Sequence, residues 1–461
     1  MITIGGLKAP VPALSRLHTF KHSDGTILMG QIQFPFLPGS DIKIDRAEGV
    51  YLYEANGQQI IDAAGGAIVA NIGHGNKRVV DAIAKATLET SYIVPPWSTP
   101  SREALLKALE SWLPESLTRV HLTSGGSESN ESAIKIALHY QQAIGETKRT
   151  QVIGRSISYH GTTLATASIS GHPARKKGLE SSLPDFLEIE TPYSLRCPHN
   201  ENQADYYIGQ LADLIEDKGA ENIAALLAEP VTGSSGGALV PPDEYWPRVR
   251  ELCTQHGILL IMDEVMTGFG RTGKDFGFQN WPIEPDILVG GKGLAGGYAP
   301  LGGVFSTEAI ASAISDAGFQ VMFNTFGAHP GACAGAAEVL TIMREENLVQ
   351  SALERGDYLA DRLRDAFSNH PHVAETRGKG LLRAIELVAD RETLEHFPLE
   401  AQLTAKIVGK GLKKGVFFYG GGTGKVRDIV CMGPALNIEE SQIDRIVEVL
   451  SESIDEAIAS L

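Results

Sequence analysis

Lys292 lies in a stretch of glycines and small apolar residues, Gly290–Gly297, where a surface lysine would normally have polar neighbours. A lysine enclosed in a small, poorly solvated pocket has a lowered pKa, and its neutral amine can form a Schiff base with a carbonyl compound. Asp263 lies upstream, at the end of the apolar run Ile258–Met262. An amine nucleophile together with a carboxylate at a strand end indicates covalent chemistry on a carbonyl group.

Small residues also separate a strand-like segment from a helix-like one at Thr123–Ser127. Free backbone N–H groups at the start of a helix, with the Ser127 hydroxyl beside them, could bind a phosphate. Gly125 and Gly126 would let the ligand approach the backbone closely. An ordinary serine-capped helix is the alternative, and this segment alone does not decide between the two.

Three further residues follow predicted strands. Tyr159 precedes His160 and could stack on a flat ring, or could be a core aromatic. Glu229 follows the apolar run Ala224–Ala228, at the kind of position where open α/β sheets bind ligands, although a loop-capping acid is the alternative. A buried Asp263 needs a partner, and the protonated nitrogen of pyridoxal phosphate would provide one.

These segments together resemble the class III aminotransferases, enzymes of fold type I that depend on pyridoxal 5′-phosphate. The resemblance covers nearly the whole chain and is most specific in Asp263–Gly273. It extends to the following segments: Gly125–Ser127, Tyr159–Gly161, Glu229–Val231, Gly291–Leu294, Gly297–Gly303 and Asn324–Pro330.

The resemblance implies a role for each matching residue. Lys292 would hold the cofactor covalently and move a proton, and Asp263 would pair with the pyridinium nitrogen. The ring would lie between Tyr159 and Val265. The remaining cofactor contacts implied are Gly125, Gly126, Ser127, His160, Glu229 and Met266. Thr325 would reach the phosphate in the neighbouring subunit, so the resemblance also implies a homodimer.

Some positions depart from the family pattern. Met266 stands where many members have a glutamine, and an apolar residue there resembles the branch acting on ω-amino acids and amines with pyruvate. Thr232–Ser235 replaces a glutamate that masks a carboxylate-binding arginine in other members. Arg377 is therefore predicted to be unmasked and to bind substrate, although a structural arginine is equally compatible. Trp97, with Tyr92, could line a substrate channel or pack at a subunit interface.

We expect the enzyme to move an amino group from a primary amine or ω-amino acid to pyruvate or 2-oxoglutarate by a ping-pong reaction. A lyase, racemase or aminomutase on the same cofactor is the alternative. A cofactor-binding regulator attached to a DNA-binding module is a third hypothesis. It is disfavoured because 40 basic and 56 acidic residues give a net charge of −16.

The same acidic balance argues against nucleic-acid and anionic-membrane partners. Met1–Gly6 lacks the basic and apolar pattern of an export signal, and the four cysteines are widely spaced, so we expect a cytoplasmic protein. No metal is expected: His18 and His22 have helical spacing but no third ligand nearby. Gly420–Val426 resembles a P-loop, but its spacing fails, and a hairpin is predicted instead.

The element pattern predicts an α/β protein. Asn56-Gly57 between β-rich runs predicts a hairpin within a meander over residues 43–62. From about residue 75, short apolar strands alternate with helices, which predicts a mostly parallel sheet covered by helices on both faces. The resulting domains are an N-terminal segment of a small α+β domain (1–74), a large cofactor-binding domain (75–334) and the C-terminal part of the small domain (335–461).

Overall fold

A computed structural model describes residues 42–199, 202–320, 323–424 and 426–461. Its strands form three sheets within these ranges. The strands are β1 (Ile44–Glu48), β2 (Tyr51–Glu54), β3 (Gln59–Asp62), β4 (Arg119–Thr123), β5 (Gln151–Arg155), β6 (Leu187–Ile189), β7 (Ile223–Ala228), β8 (Leu259–Asp263), β9 (Ile287–Gly290), β10 (Gly302–Ser306), β11 (Val373–Lys379), β12 (Leu382–Leu387), β13 (Val416–Phe417), β14 (Tyr419–Gly421) and β15 (Ile429–Met432).

The helices cover the sheets and follow the apolar spacing of the sequence. They are α1 (Gly65–Ile68), α2 (Lys77–Glu89), α3 (Pro100–Glu110), α4 (Gly126–Ala143), α5 (Leu164–Ile169), α6 (Pro173–Lys176), α7 (Gln203–Lys218), α8 (Tyr245–His256), α9 (Glu308–Asp316), α10 (Pro330–Glu345), α11 (Leu348–Phe367), α12 (Leu403–Lys413) and α13 (Glu440–Ile458). The apolar runs Ala224–Ala228 and Ile258–Met262 of the sequence occur as β7 and β8, with ends shifted by one residue, as expected for element boundaries.

The largest sheet has seven strands in the order β4-β10-β9-β8-β7-β5-β6. Strands β9, β8, β7, β5 and β6 run parallel, whereas β10 is antiparallel to both β4 and β9. Every residue of β7 and β8 is buried. Successive residues of β8 belong to two different apolar clusters, one on each face of the sheet. This confirms the predicted mostly parallel sheet with helices on both faces.

The parallel strands end along one edge of this sheet, and loops leave from that edge. The carboxyl ends of β5, β7, β8 and β9 are followed by Tyr159, Glu229, Glu264 and Lys292, respectively, and Asp263 is the last residue of β8. Ligands bind at this edge in open α/β sheets because the strand ends diverge there into loops. Four separate strands therefore deliver candidate chemical groups to one place.

The two smaller sheets contain the ends of the chain. β1, β2 and β3 form the predicted meander, with Asn56-Gly57 in the turn between β2 and β3. β13 pairs parallel to β3 through Val416 and Ile61, so segments far apart in sequence share one sheet. The third sheet has the order β11-β12-β15-β14, and its β14–β15 hairpin contains the P-loop-like stretch. Ile44–Leu461 packs as one unit, and boundaries at 74/75 and 334/335 stay predictions.

The expectations about metal ligands, cysteines and membrane spans have different outcomes. His18 and His22, considered as metal ligands, lie outside the described residues. The four cysteines are buried free thiols. In the described ranges, no group of acidic, histidine and cysteine side chains is arranged to hold a metal ion, and no helix has the length and apolar character needed to cross a membrane.

Two helical glycines give a matched test of the packing. A Cβ on Gly356 in α11 would lie 2.2 Å from the carbonyl carbon of Gly380, whereas a Cβ on Gly209 in α7 would meet nothing within 4 Å. We expect Gly356→Ala to destabilise the protein by about 1–3 kcal/mol because backbone must move. Gly209→Ala should stabilise it by about 0.5–1 kcal/mol, since alanine favours helix. Denaturant unfolding measures both, and equal effects would contradict this packing.

Candidate active site

A cavity of about 300 Å³ opens at the carboxyl edge of the large sheet. It brings together ten of the residues that the sequence singled out. They are Gly125, Gly126, Ser127, Tyr159, His160, Glu229, Asp263, Val265, Met266 and Lys292. Residues up to 167 positions apart in the sequence, from Gly125 to Lys292, therefore line one chamber.

Lys292 begins a short 3₁₀ turn directly after β9. Its backbone has φ 40°, a left-handed conformation that is costly for a side-chain-bearing residue and that recurs at functional sites. Burial lowers the pKa of Lys292 to about 8, although the charges of Asp263 and Glu229 act in the opposite direction. A substantial fraction of this amine is therefore neutral, and nucleophilic, near pH 8.

Asp263 is only 3% exposed, and its carboxylate is held by three contacts. Oδ2 accepts a hydrogen bond from Asn130 Nδ2 at 2.8 Å and lies 2.7 Å from His160 Nδ1. Oδ1 accepts one from the Val265 backbone N–H at 3.0 Å. A buried carboxylate needs such donors, and they fix its orientation beside the cavity.

Asn130 also lines the cavity, and our reading of the sequence missed it. Its Nδ2 bridges Asp263 to the His160 backbone carbonyl, which it contacts at 2.9 Å. One signal could have identified it: Asn130 follows Ser127 by three residues, so the two share a face of α4. His160, predicted as a cofactor contact, touches Asp263 directly.

The neighbouring acid, Glu264, has different surroundings. It is fully buried and accepts hydrogen bonds from the backbone N–H groups of Gly277 and Phe278 at 2.8 and 2.7 Å, and from the Thr267 hydroxyl. Burial raises the pKa of Glu264 to about 7, against the effect of these donors. Glu264 is thus a structural acid of the interior, not a member of the cavity.

The segment that the sequence predicts to bind phosphate lies at the start of a helix. α4 begins at Gly126, so its first three backbone N–H groups have no acceptor within the helix. A Cβ on Gly126 would lie 3.0 Å from a Val265 methyl group, so only a glycine keeps this approach open. The Ser127 Oγ accepts a hydrogen bond from the Thr162 backbone N–H at 3.2 Å. An anion placed here would meet free donors and the positive end of the helix dipole.

Glu229 and Met266 lie on another side of the cavity. Glu229 accepts hydrogen bonds from the backbone N–H groups of Gly233 at 3.0 Å and Tyr159 at 3.4 Å. Burial raises the pKa of its carboxyl group, with His160 acting to lower it. A Cβ on Gly233 would lie 2.6 Å from the Met266 sulfur, so the loop after β7 packs closely against this thioether.

Arg377 is not unmasked, and that expectation was wrong. Its Nη1 lies 2.7 Å from Glu386 and 2.8 Å from Glu375. Nε and Nη2 donate to the carbonyl oxygens of Gly237 and Gly236 at 2.7 and 2.8 Å. The glutamate that neutralises Arg377 is Glu386, nine positions after it, and not a residue that follows Glu229. Arg377 is 8% exposed and does not line the cavity.

Trp97 and Thr325 lie away from the cavity of their own chain. Trp97 is 68% exposed, and its backbone carbonyl accepts a hydrogen bond from Arg102. Thr325 is exposed as well. The residue before it, Asn324, donates to Glu128 Oε2 at 2.8 Å, and Glu128 lies in the first turn of α4. This hydrogen bond therefore joins the loop that carries Thr325 to the first turn of α4.

Residues 38–454 match the family described as aminotransferase class III. The chain belongs to this family. It is 34% identical to putrescine–pyruvate aminotransferase of Pseudomonas aeruginosa over 91% of both chains. It is 33% identical to taurine–pyruvate aminotransferase of Rhodobacter capsulatus over 97% of both. An (S)-enantioselective ω-transaminase from Thermomicrobium roseum superposes with a TM-score of 0.87 at 34% identity, covering 91% of this chain and 93% of that one.

As a class III aminotransferase, the protein transfers an amino group to a 2-oxo acid. This confirms the resemblance and the reaction class inferred from the sequence, and it favours amino transfer over the lyase, racemase, aminomutase and regulator hypotheses. The family implies dependence on pyridoxal 5′-phosphate.

The lowered pKa of Lys292 gives a direct test in the cofactor-free protein. We expect its labelling by an amine-acylating reagent to reach half its maximum near pH 8, compared with about 10.4 for an ordinary lysine. Asp263→Asn should move the midpoint to lower pH, since the Asp263 charge raises the pKa. Peptide mapping by mass spectrometry measures the labelling. A midpoint that Asp263→Asn shifts upward would contradict this electrostatic account.

Proposed function

We propose that the protein uses pyridoxal 5′-phosphate to take an amino group from a primary amine or ω-amino acid and to give it to pyruvate or 2-oxoglutarate in two half-reactions. The observation that carries this proposal is the joint position of Lys292 and Asp263 in one cavity. The names of two relatives, acting on putrescine and taurine with pyruvate, support this donor class and this acceptor.

The residues present fit this cofactor. The free N–H groups at the start of α4 and the Ser127 hydroxyl suit its phosphate. Tyr159 and Val265 both line the cavity and offer surfaces for the two faces of its ring. Asp263, already oriented by Asn130, would pair with the pyridinium nitrogen. When bound, the cofactor would supply an electron sink for the substrate carbon that carries the amino group.

Lys292 has two tasks in this proposal. Its neutral amine would hold the cofactor between reactions, and its Nζ would move the proton of the substrate carbon. The pKa of about 8, caused by burial, suits both tasks because the group can accept and release a proton near neutral pH. The Asp263 carboxyl group would face the cofactor nitrogen, since His160 and Asn130 fix its orientation.

Glu229 and Met266 would border the cofactor on its 3′-oxygen side. Met266 brings no amide hydrogen bond to this place, because a thioether is a weak acceptor and no donor. Gly233 packs closely against the Met266 side chain, and this contact forms the cavity wall on that side. The apolar surface that Met266 gives to this wall suits substrates whose reacting end carries hydrocarbon.

We further propose a homodimer in which Thr325 reaches the phosphate of the neighbouring subunit's cofactor. Thr325 is exposed, and the adjoining Phe326 is 61% exposed and packs edge-to-face with Tyr92. Trp97 adds to this apolar surface. Exposed aromatic side chains beside a loop fastened to the phosphate site support an interface there. The four free thiols are compatible with the cytoplasmic location that we propose.

Lys292→Ala should lower turnover by at least about 100-fold, since the group that moves the proton is lost. The covalently bound cofactor's visible absorbance should disappear with it. Lys274→Ala is the matched control, because Lys274 is exposed and away from the cavity. Product analysis with a primary amine and pyruvate should give one alanine for each amine consumed. Full turnover by Lys292→Ala, or consumption of amine without alanine, would contradict the proposal.

Subunit mixing tests the role of Thr325. We expect Thr325→Ala to weaken cofactor affinity by about tenfold, the loss of one hydrogen bond to a charged group. A heterodimer of Lys292→Ala and Thr325→Ala subunits should recover one normal site, because that site combines the intact Lys292 with the intact Thr325 of its partner. Cofactor titration and activity of the mixed dimer measure this recovery. No recovery on mixing would mean that Thr325 acts within its own subunit or not at all.

A further inference from the structure

Arg175 lies over the ring of Tyr159, with its guanidinium carbon 4.5 Å from the ring centre. Tyr159 lines the cavity. Arg175 is exposed and lies in the last turn of α6, which leads into a loop. No described residue gives the Arg175 side chain a hydrogen bond or a carboxylate partner. The cation is therefore fixed by a ring of the cavity wall while its N–H donors stay available.

Other arginines that could serve a substrate have their guanidinium groups bound by the protein. Arg377 is paired with Glu386. Arg155 donates to the Glu229 carbonyl, and Arg271 to Asn71 and the Pro434 carbonyl. Arg427, which follows the glycine-rich hairpin, donates to the Phe397 carbonyl at 3.2 Å.

Tyr419 in β14 adds a polar group to the same place. The β14 end is bound to the cavity wall, because the Gly422 backbone N–H donates to the Ser234 carbonyl at 2.8 Å and Ser234 lines the cavity. Burial raises the pKa of Tyr419, whereas the nearby charge of Arg175 acts to lower it. A neutral phenol that can donate a hydrogen bond thus lies close to the Arg175 cation.

We propose that Arg175, held over Tyr159, binds the carboxylate of a substrate at the rim of the cavity. This inference rests on the proposed function of the same site. A guanidinium group matches a carboxylate with two parallel hydrogen bonds, and the stacked ring restricts the orientation of its plane. The bound carboxylate is the distal one of an ω-amino acid donor or the one beside the reacting carbonyl of a 2-oxo acid acceptor.

Two variants and a matched control test this site in the holoenzyme. Arg175→Met removes the charge and keeps a flexible side chain over the ring, and Arg175→Lys keeps the charge without the planar fork. Lys177→Gln is the control, because it removes an equal charge from an exposed position two residues away. Single-turnover half-reactions are followed with two donors, 4-aminobutanoate and butan-1-amine, and two acceptors, pyruvate and propanal.

We expect Arg175→Met to weaken binding of pyruvate, 4-aminobutanoate or both by about tenfold or more, the loss expected for one charge-assisted contact. The binding of butan-1-amine and propanal should change by less than about twofold, since neither compound carries a carboxylate. The affinity of Arg175→Lys for these carboxylates should fall between those of Arg175→Met and the wild type. The affinity of Lys177→Gln should match that of the wild type. A loss confined to pyruvate identifies the acceptor carboxylate, and one confined to 4-aminobutanoate identifies the donor's.

Binding without reaction gives a second readout. Calorimetry with butanoate and its neutral analogue butanamide should show tighter binding of butanoate to the wild type, and Arg175→Met should remove that preference. The proposal is overturned if the wild type shows no preference, or if Arg175→Met affects charged and neutral compounds equally. Formation of alanine from butan-1-amine and pyruvate by the wild type tests the proposed function separately, because this measurement leaves Arg175 unchanged.

Discussion

The site depends on keeping one carboxylate, that of Asp263, out of water. Transferring a charged group out of water costs roughly several kcal/mol of free energy, unless hydrogen-bond donors of the protein replace the lost water. Here the donors come from three elements: Asn130 from α4, His160 from the loop after β5, and the Val265 backbone just beyond β8. Any of these elements that moves would leave the charge short of partners, so one buried acid couples the sheet edge to the first turns of α4.

The same coupling explains how the cavity acquires its two unlike ends. α4 offers backbone donors at its start, Gly126, and Asn130 from the same helix donates to Asp263. One helix thus sets the separation between backbone donors that could bind an anion and a carboxylate that could bind a cation. Lys292, in a left-handed conformation after β9, lines the same cavity. A cofactor with a phosphate and a basic ring nitrogen suits that arrangement.

The parts of the site that sequence could predict are those encoded by neighbouring residues. Lys292 is marked by the glycines around it, and Ser127 by the strand-to-helix change. The contact of Asn130 with Asp263 could not be predicted in this way, because the two residues are 133 positions apart and meet across the fold. Glu386 lies nine positions from Arg377 on the paired strand β12 and also binds Tyr193, 193 positions away, so its partners are not specified by the local sequence. Parallel strands were predictable because both of their faces are apolar; which acid neutralises which arginine depends on side-chain geometry.

The two adjacent acids at the end of β8 limit the insertions and deletions that this strand can tolerate. Asp263 reaches the cavity and Glu264 reaches the Gly277 and Phe278 amides in the interior. Deleting one residue from β8 would put the longer acid, Glu264, at the position of Asp263 beside the cavity. Inserting one residue would put the shorter acid, Asp263, among the amides that Glu264 binds, which it could not span. The register of β8 is therefore constrained by both acids. Substitutions in β8 can alter side-chain volume, but an insertion or deletion would misplace one of the two carboxyl groups.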